Sequence, residues 1–131
     1  MINIIINQHW RCYNETFFEY PNCTTCKRAK KFLKENGIQF KEISLKDKTP
    51  TKAQIKSVQG SMGLKRLFNT SGKSYRDLNL KENFDNLSAD EALKLLVEDG
   101  SLIKRPIFID EENKIFLIGF KENEWNVLIK K

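Results

Sequence analysis

Residues 16–40 constrain the fold most, because they read as strand, tight turn and amphipathic helix with two cysteines at the junction. Thr16-Phe17-Phe18-Glu19-Tyr20 is β-branched and aromatic, as suits a buried strand, and Pro21-Asn22 turns the chain instead of extending it. Cys23 therefore falls at a helix start. From Cys26 the small and apolar residues recur at Ala29, Phe32 and Leu33, with Lys27, Arg28, Lys30, Lys31 and Lys34 on the other side, until Gly37 ends the pattern. Residues 38–43 resume an extended pattern, which predicts a β–α–β unit.

That context gives the two cysteines a chemical reading. A thiol at a helix N-terminus faces unpaired backbone N–H groups and the positive end of the helix dipole, so its thiolate is favoured. Cys23 is the expected nucleophile. Cys26 lies nearly one turn further in, on the face that continues through Ala29 and Leu33 toward the core, within reach of Cys23 and suited to resolving a mixed disulfide. Two other readings stand beside this one: half of a zinc site, or inert core thiols. Cys12, Cys23, Cys26 and His9 are all the cysteine and histidine ligands the chain has, and their spacing is unlike a zinc ribbon or finger. A C-x-x-C beside a β–α–β pattern points to redox chemistry, and no metal is expected.

The 131 residues, 40% of them hydrophobic, suffice for one core. No run approaches the ~20 apolar residues of a membrane span, and the start shows neither a basic segment nor a small-residue cleavage site. Three cysteines without a secretory signal fit a reducing compartment, so a cytoplasmic, monomeric protein is expected. The net charge of +6 arises from basic residues spread over the first helix, residues 46–56, Lys65-Arg66 and the C-terminus, without a nucleic-acid-binding signature. An anionic substrate or a partner's acidic patch fits that excess; direct nucleic-acid binding is not expected.

Along the rest of the chain, residues 1–15 read as an extension: residues 2–6 could form an edge strand, and nothing fixes His9 or Cys12. Thr49 is the expected cap, with Pro50 in the first turn, of a helix carrying Ile55, Val58 and Met62 to Gly63. Short helical pieces follow at residues 64–68, 75–80 and 84–85, around the polar loop Asn69-Thr70-Ser71-Gly72. Ser88-Ala89-Asp90-Glu91 is a capping box for a helix with Leu93, Leu96 and Val97, stopped by Gly100. Residues 107–110 and 114–118 read as a hairpin, and Trp125, Leu128 and Ile129 as one face of a last helix. The predicted architecture is α/β, in part α+β: a β–α–β … β–β–α core over residues 16–131 with a helical insert at about residues 50–100.

This order, with C-x-x-C after the first strand, resembles the thioredoxin-like fold. Tyr20-Pro21-Asn22-Cys23-Thr24-Thr25-Cys26, Leu67-Phe68-Asn69-Thr70-Ser71-Gly72, Tyr75-Arg76-Asp77-Leu78 and Lys104-Arg105-Pro106-Ile107 together resemble the ArsC/Spx family. The resemblance implies a cis Pro106 facing the active cysteine and an Arg105 beside the nucleophile, able to stabilise a thiolate or hold an oxyanion. Thr24, Thr25 and Asn69 are the further supporting residues. The arsenate reductases of that family clamp their oxyanion with three arginines and carry one cysteine at the helix start. Here Asn69 stands at the first clamp position and residues 117–120 offer no arginine for the third. Losing two charge-assisted contacts, at roughly 1.5–3 kcal/mol each, should weaken oxyanion binding by orders of magnitude. The cysteine pair matches the Spx branch, where the disulfide is a redox switch and the body binds the RNA polymerase α subunit. Gly63 matches the glycine of that contact, while Leu64-Lys65-Arg66 replaces acidic neighbours. Two functions are therefore implied. One is an ArsC-like thiol–disulfide oxidoreductase acting on a small thiol, an oxyanion or an oxidised protein, with no cofactor but an external reductant such as glutathione, glutaredoxin or thioredoxin. The other is a redox-sensing regulator that captures the polymerase α subunit.

Overall fold

The computed structural model describes residues 15–129; the readings of residues 2–6, His9 and Cys12 lie outside the described residues. The elements are β1 (Glu15–Glu19), α1 (Thr24–Glu35), β2 (Lys41–Ser44), α2 (Lys52–Met62), a 3₁₀ turn (Lys65–Leu67), α3 (Lys73–Asp77), α4 (Leu80–Asn83), α5 (Ala89–Glu98), β3 (Ile107–Asp110), β4 (Ile115–Ile118) and α6 (Glu122–Trp125). The strands form one mixed sheet in the order β2-β1-β3-β4, with β1 and β2 parallel and the other pairs antiparallel. This is the expected β–α–β … β–β–α order with a helical insert. Among the described residues no helix is long and apolar enough to cross a membrane.

The sheet separates two apolar layers because strand side chains alternate between faces. Phe17, Phe108 and Leu117 are cross-strand partners on one face, where they meet Ala29 and Leu33 of α1 and Trp125 of α6. Phe18, Ile107 and Ile118 form the adjacent row on the other face, against Ile55 and Val58 of α2 and Leu93 and Leu96 of α5. Burying each phenylalanine contributes roughly 1.5–3 kcal/mol. Trp125 is fully buried, donates its indole N–H to the Gly119 carbonyl at 2.9 Å, and stacks edge-on with Phe17, Phe32 and Phe120.

Several local readings shift. Residues 38–40 precede the strand instead of opening it: Gly37, at φ +67°, lets its amide reach the Lys34 carbonyl and that of Ile38 the Leu33 carbonyl, a helix stop that only then releases the chain into β2. Helix α2 is capped by Thr51, which forms a reciprocal box with Gln54, so Thr49 stands outside the helix and donates its hydroxyl to the Val97 carbonyl at 2.8 Å. A two-partner cap outcompetes the single cap that Thr49 could make. The Ser88–Glu91 box caps α5 as expected. The terminal helix lasts one turn before tightening to 3₁₀ over Asn126–Leu128, so Ile129 is exposed, not part of the apolar face.

Gly100 does not merely stop a helix. A Cβ there would sit 2.2 Å from the Leu45 carbonyl oxygen, so the chain passes too close to the end of β2 for any side chain. Gly100→Ala is expected to lower the urea midpoint by the equivalent of at least about 2 kcal/mol. Gly60→Ala, within α2 and with open space around it, should raise the midpoint by about 0.5–1 kcal/mol. Equal midpoints for the two variants would contradict this packing.

Candidate functional site

The turn after β1 places Asn22 at φ +61°, a conformation asparagine tolerates, and delivers Cys23 to the N-cap of α1 with extended backbone (φ −90°, ψ 111°). Its Sγ accepts a hydrogen bond from the Cys26 amide at 3.1 Å, the bond that a serine or aspartate oxygen makes at other helix starts. The sequence supplies no acidic residue in that first turn, so the half-exposed sulfur is the group facing the orphan amides.

Cys26 is completely buried in the layer that holds Phe17, Ala29 and Leu33. Both cysteines are free thiols. Burial, and then the hydrogen bond its thiol shares with Cys23, push Cys26 up to about 12, only partly opposed by the Tyr20 backbone; the charges of Cys23 and Glu19 act in the same upward direction. Cys26 is therefore a neutral thiol at pH 7. Among the described residues no three histidine, cysteine or carboxylate groups converge as a metal site would require.

Arg105 precedes β3 and is joined to Pro106 by a cis peptide bond. Its guanidinium lies over the Tyr20 ring, 4.4 Å from the centroid, and its Nη1 is buried without a hydrogen-bond partner. Tyr20 follows β1 directly, so the ring links Arg105 to the strand that leads into the cysteine turn. The insert reaches the same place through backbone pairing: the Asn69 amide donates to the Leu102 carbonyl and the Lys104 amide to the Leu67 carbonyl, both at 2.7 Å.

These segments enclose a pocket of about 580 Å³ beside the cysteine loop, with Thr25 in its wall. Six of its twelve lining residues are cationic, Arg28, Lys65, Arg66, Lys104, Arg105 and Lys121, and none is acidic. Arg66 is neutralised by Glu124 at 2.7 Å. Among the described residues no carboxylate pairs with the other five.

The geometry thus brings together Cys23 and Cys26, and separately Thr25 and Arg105 on one pocket wall. Thr24 is exposed and Asn69 does not line the pocket: its side chain contacts the Ser101 carbonyl and the Ser71 hydroxyl, holding the 69–72 loop. Counting arginines at clamp positions misses Lys65, Lys104 and Lys121, which come from three separate segments. The Lys65-Arg66 and Lys104-Arg105 pairs were the visible signal. They became a site only when residues 67–69 paired with 102–104.

Known proteins resemble this chain in sequence and in fold. The ArsC family model matches residues 18–128. YusI of Bacillus subtilis, an uncharacterised protein, is 46% identical over 84% of this chain and 93% of its own length. The regulatory protein MgsR of the same organism is 36% identical over 88% of this chain and 90% of its own. Among solved structures, an ArsC family related protein from Bacteroides fragilis superposes with a TM-score of 0.83 at 36% identity, covering 90% of this chain and 99% of that one. One from Streptococcus mutans, described as a possible arsenate reductase, gives 0.76 at 42% identity, covering 83% and 92%. With its family model spanning nearly all described residues and its sheet and cysteine helix in the expected order, the chain belongs to the ArsC family.

Proposed function

We propose that the protein is a thiol–disulfide oxidoreductase of the ArsC-like group, with Cys23 as nucleophile and Cys26 as resolving thiol. The observation that carries this reading is the cap geometry: a partly exposed sulfur accepts a hydrogen bond from the Cys26 amide at the opening of α1, and the Cys26 thiol itself is buried. The Cys23 thiolate attacks a substrate disulfide, bonds to one sulfur and displaces the other as thiolate. Cys26 then loses its proton and attacks Cys23, which releases the first substrate half and leaves the Cys23–Cys26 disulfide. Two electrons pass from the dithiol to the substrate. An external thiol reductant such as glutathione, glutaredoxin or thioredoxin returns the pair, in a reducing cytoplasm. Arg105, one nitrogen unpartnered at the pocket wall, is the residue we assign to an anionic group of the substrate or to the thiolate.

The second reading is a redox-sensing regulator; its regulatory part has the support of MgsR and of Spx 2 of Bacillus anthracis, a global transcriptional regulator 33% identical over 79% of this chain. The same dithiol would act as the switch, with the RNA polymerase α subunit as the captured partner. Turnover separates the two. Reduction of a small disulfide over many cycles supports the enzyme, whereas redox-dependent capture of the α subunit's C-terminal domain without turnover supports the regulator.

Cys23→Ser is expected to abolish turnover, and Cys26→Ser to accumulate one substrate half on Cys23, visible as an added mass on the intact protein. Full turnover by the Cys26 variant would make the second thiol dispensable.

The resolving step also carries a pH signature. Capture of substrate by Cys23 removes the hydrogen bond and charge that raise Cys26, but burial remains, so its thiol still titrates above the ordinary range. Below that point each pH unit changes the thiolate fraction about tenfold. The single-turnover rate of resolution should therefore climb with pH from 7 through 9, and a flat profile would contradict the burial argument.

A further inference from the structure

We propose that the basic pocket beside Thr25 receives a thiol-borne arm carrying several phosphates, so that the substrate is a disulfide of a phosphorylated thiol. This rests on the oxidoreductase reading of Cys23 and Cys26 and names the substrate class for that site.

Charge decides between candidate arms. Arg28, Lys65, Lys104, Arg105 and Lys121 face one cavity without a paired carboxylate, and Arg105 adds a buried nitrogen with no partner. An uncharged arm would gain nothing from these cations, four of which are exposed, nor from the unpartnered Arg105 nitrogen. A γ-glutamyl tripeptide arm carries two carboxylates and one ammonium, a net charge of −1, and its ammonium would meet a wall with no acid to receive it. An arm bearing a pyrophosphate and a further phosphate matches the charge and brings no ammonium. Arginine forks bind phosphate oxygens pairwise, and lysines complete the neutralisation. The cavity's roughly 580 Å³ falls within the range of about 300–1,000 Å³ typical of small-molecule sites. A small phosphorylated arm fits that volume.

The chemistry balances. The Cys23 thiolate attacks the sulfur bearing the phosphorylated arm, the S–S bond breaks, and the other half leaves as thiolate. Cys26, its proton passed to water, attacks Cys23 and expels the phosphorylated thiolate. The substrate disulfide is reduced by two electrons to two thiols, the protein pair is oxidised to its disulfide, and a dithiol reductant restores it.

The test compares coenzyme A disulfide with pantethine, which has the same thiol arm without the nucleotide phosphates, and with 2-hydroxyethyl disulfide, which is uncharged. At low ionic strength kcat/KM for coenzyme A disulfide should exceed that for pantethine at least about tenfold, with the advantage shrinking as salt rises. The double variant Lys65→Gln, Lys121→Gln should move that ratio toward one. Equal kcat/KM for the two at every salt concentration would overturn the proposal, as would clear preference for a disulfide on an acidic protein. If none of the disulfides is turned over, the oxidoreductase reading falls. Calorimetry on Cys23→Ser then decides the pocket alone: binding of coenzyme A disulfide but not pantethine sustains it, and binding of neither overturns it.

Discussion

The bond from the Cys26 amide to Cys23 Sγ sets the geometry of the whole site. A helix start leaves several amides without partners, and a side chain usually supplies an oxygen to one of them. Here sulfur does it. The same atom ends the turn after β1, begins α1 and is partly exposed, so the structural role of the cap and the chemical role proposed for Cys23 fall on one sulfur. Because the cap bond comes from the Cys26 amide, it ties the Cys23 sulfur to the backbone of the second cysteine.

Burial is the largest influence that sets Cys26 apart. Three residues of helix carry the chain from a half-exposed surface into a layer closed by Phe17, Leu33 and Trp125, where an ionised sulfur would lose its hydration. Cys26 is consequently held as a protonated thiol, which suits the resolving role proposed for it, and Cys23 is the more exposed of the pair. This division of labour needs no difference in residue type. It follows from 3.6 residues per turn and from the central position of β1, whose two phenylalanines divide the interior into the layer under α1 and the layer under the insert.

Charge at the site comes from an assembly of distant segments. The 3₁₀ turn carries Lys65, the segment before β3 carries Lys104 and Arg105, and the chain after β4 carries Lys121. The short backbone pairing of residues 67–69 with 102–104 brings the first two of these segments together. Two clamp arginines are missing by sequence position, yet the cavity is densely cationic. Specificity in such a site rests on the shape and sign of the whole lining, more than on a fixed triad of arginines.

The sequence by itself determined the order of elements, the helix start at Cys23, the buried direction of Cys26, the capping box at Ser88 and the hairpin at residues 107–118, because each is a local pattern read over a few residues. It also carried the family, through motifs whose neighbours in sequence are neighbours in function. Only the tertiary structure decided that Thr51 and not Thr49 caps α2, that Ile129 faces water, that Asn69 serves its own loop, and that Arg105 lies over Tyr20 with an unpartnered nitrogen. Those outcomes turn on competition between partners far apart in the chain. Local pattern holds no information about that competition until the sheet and insert have closed.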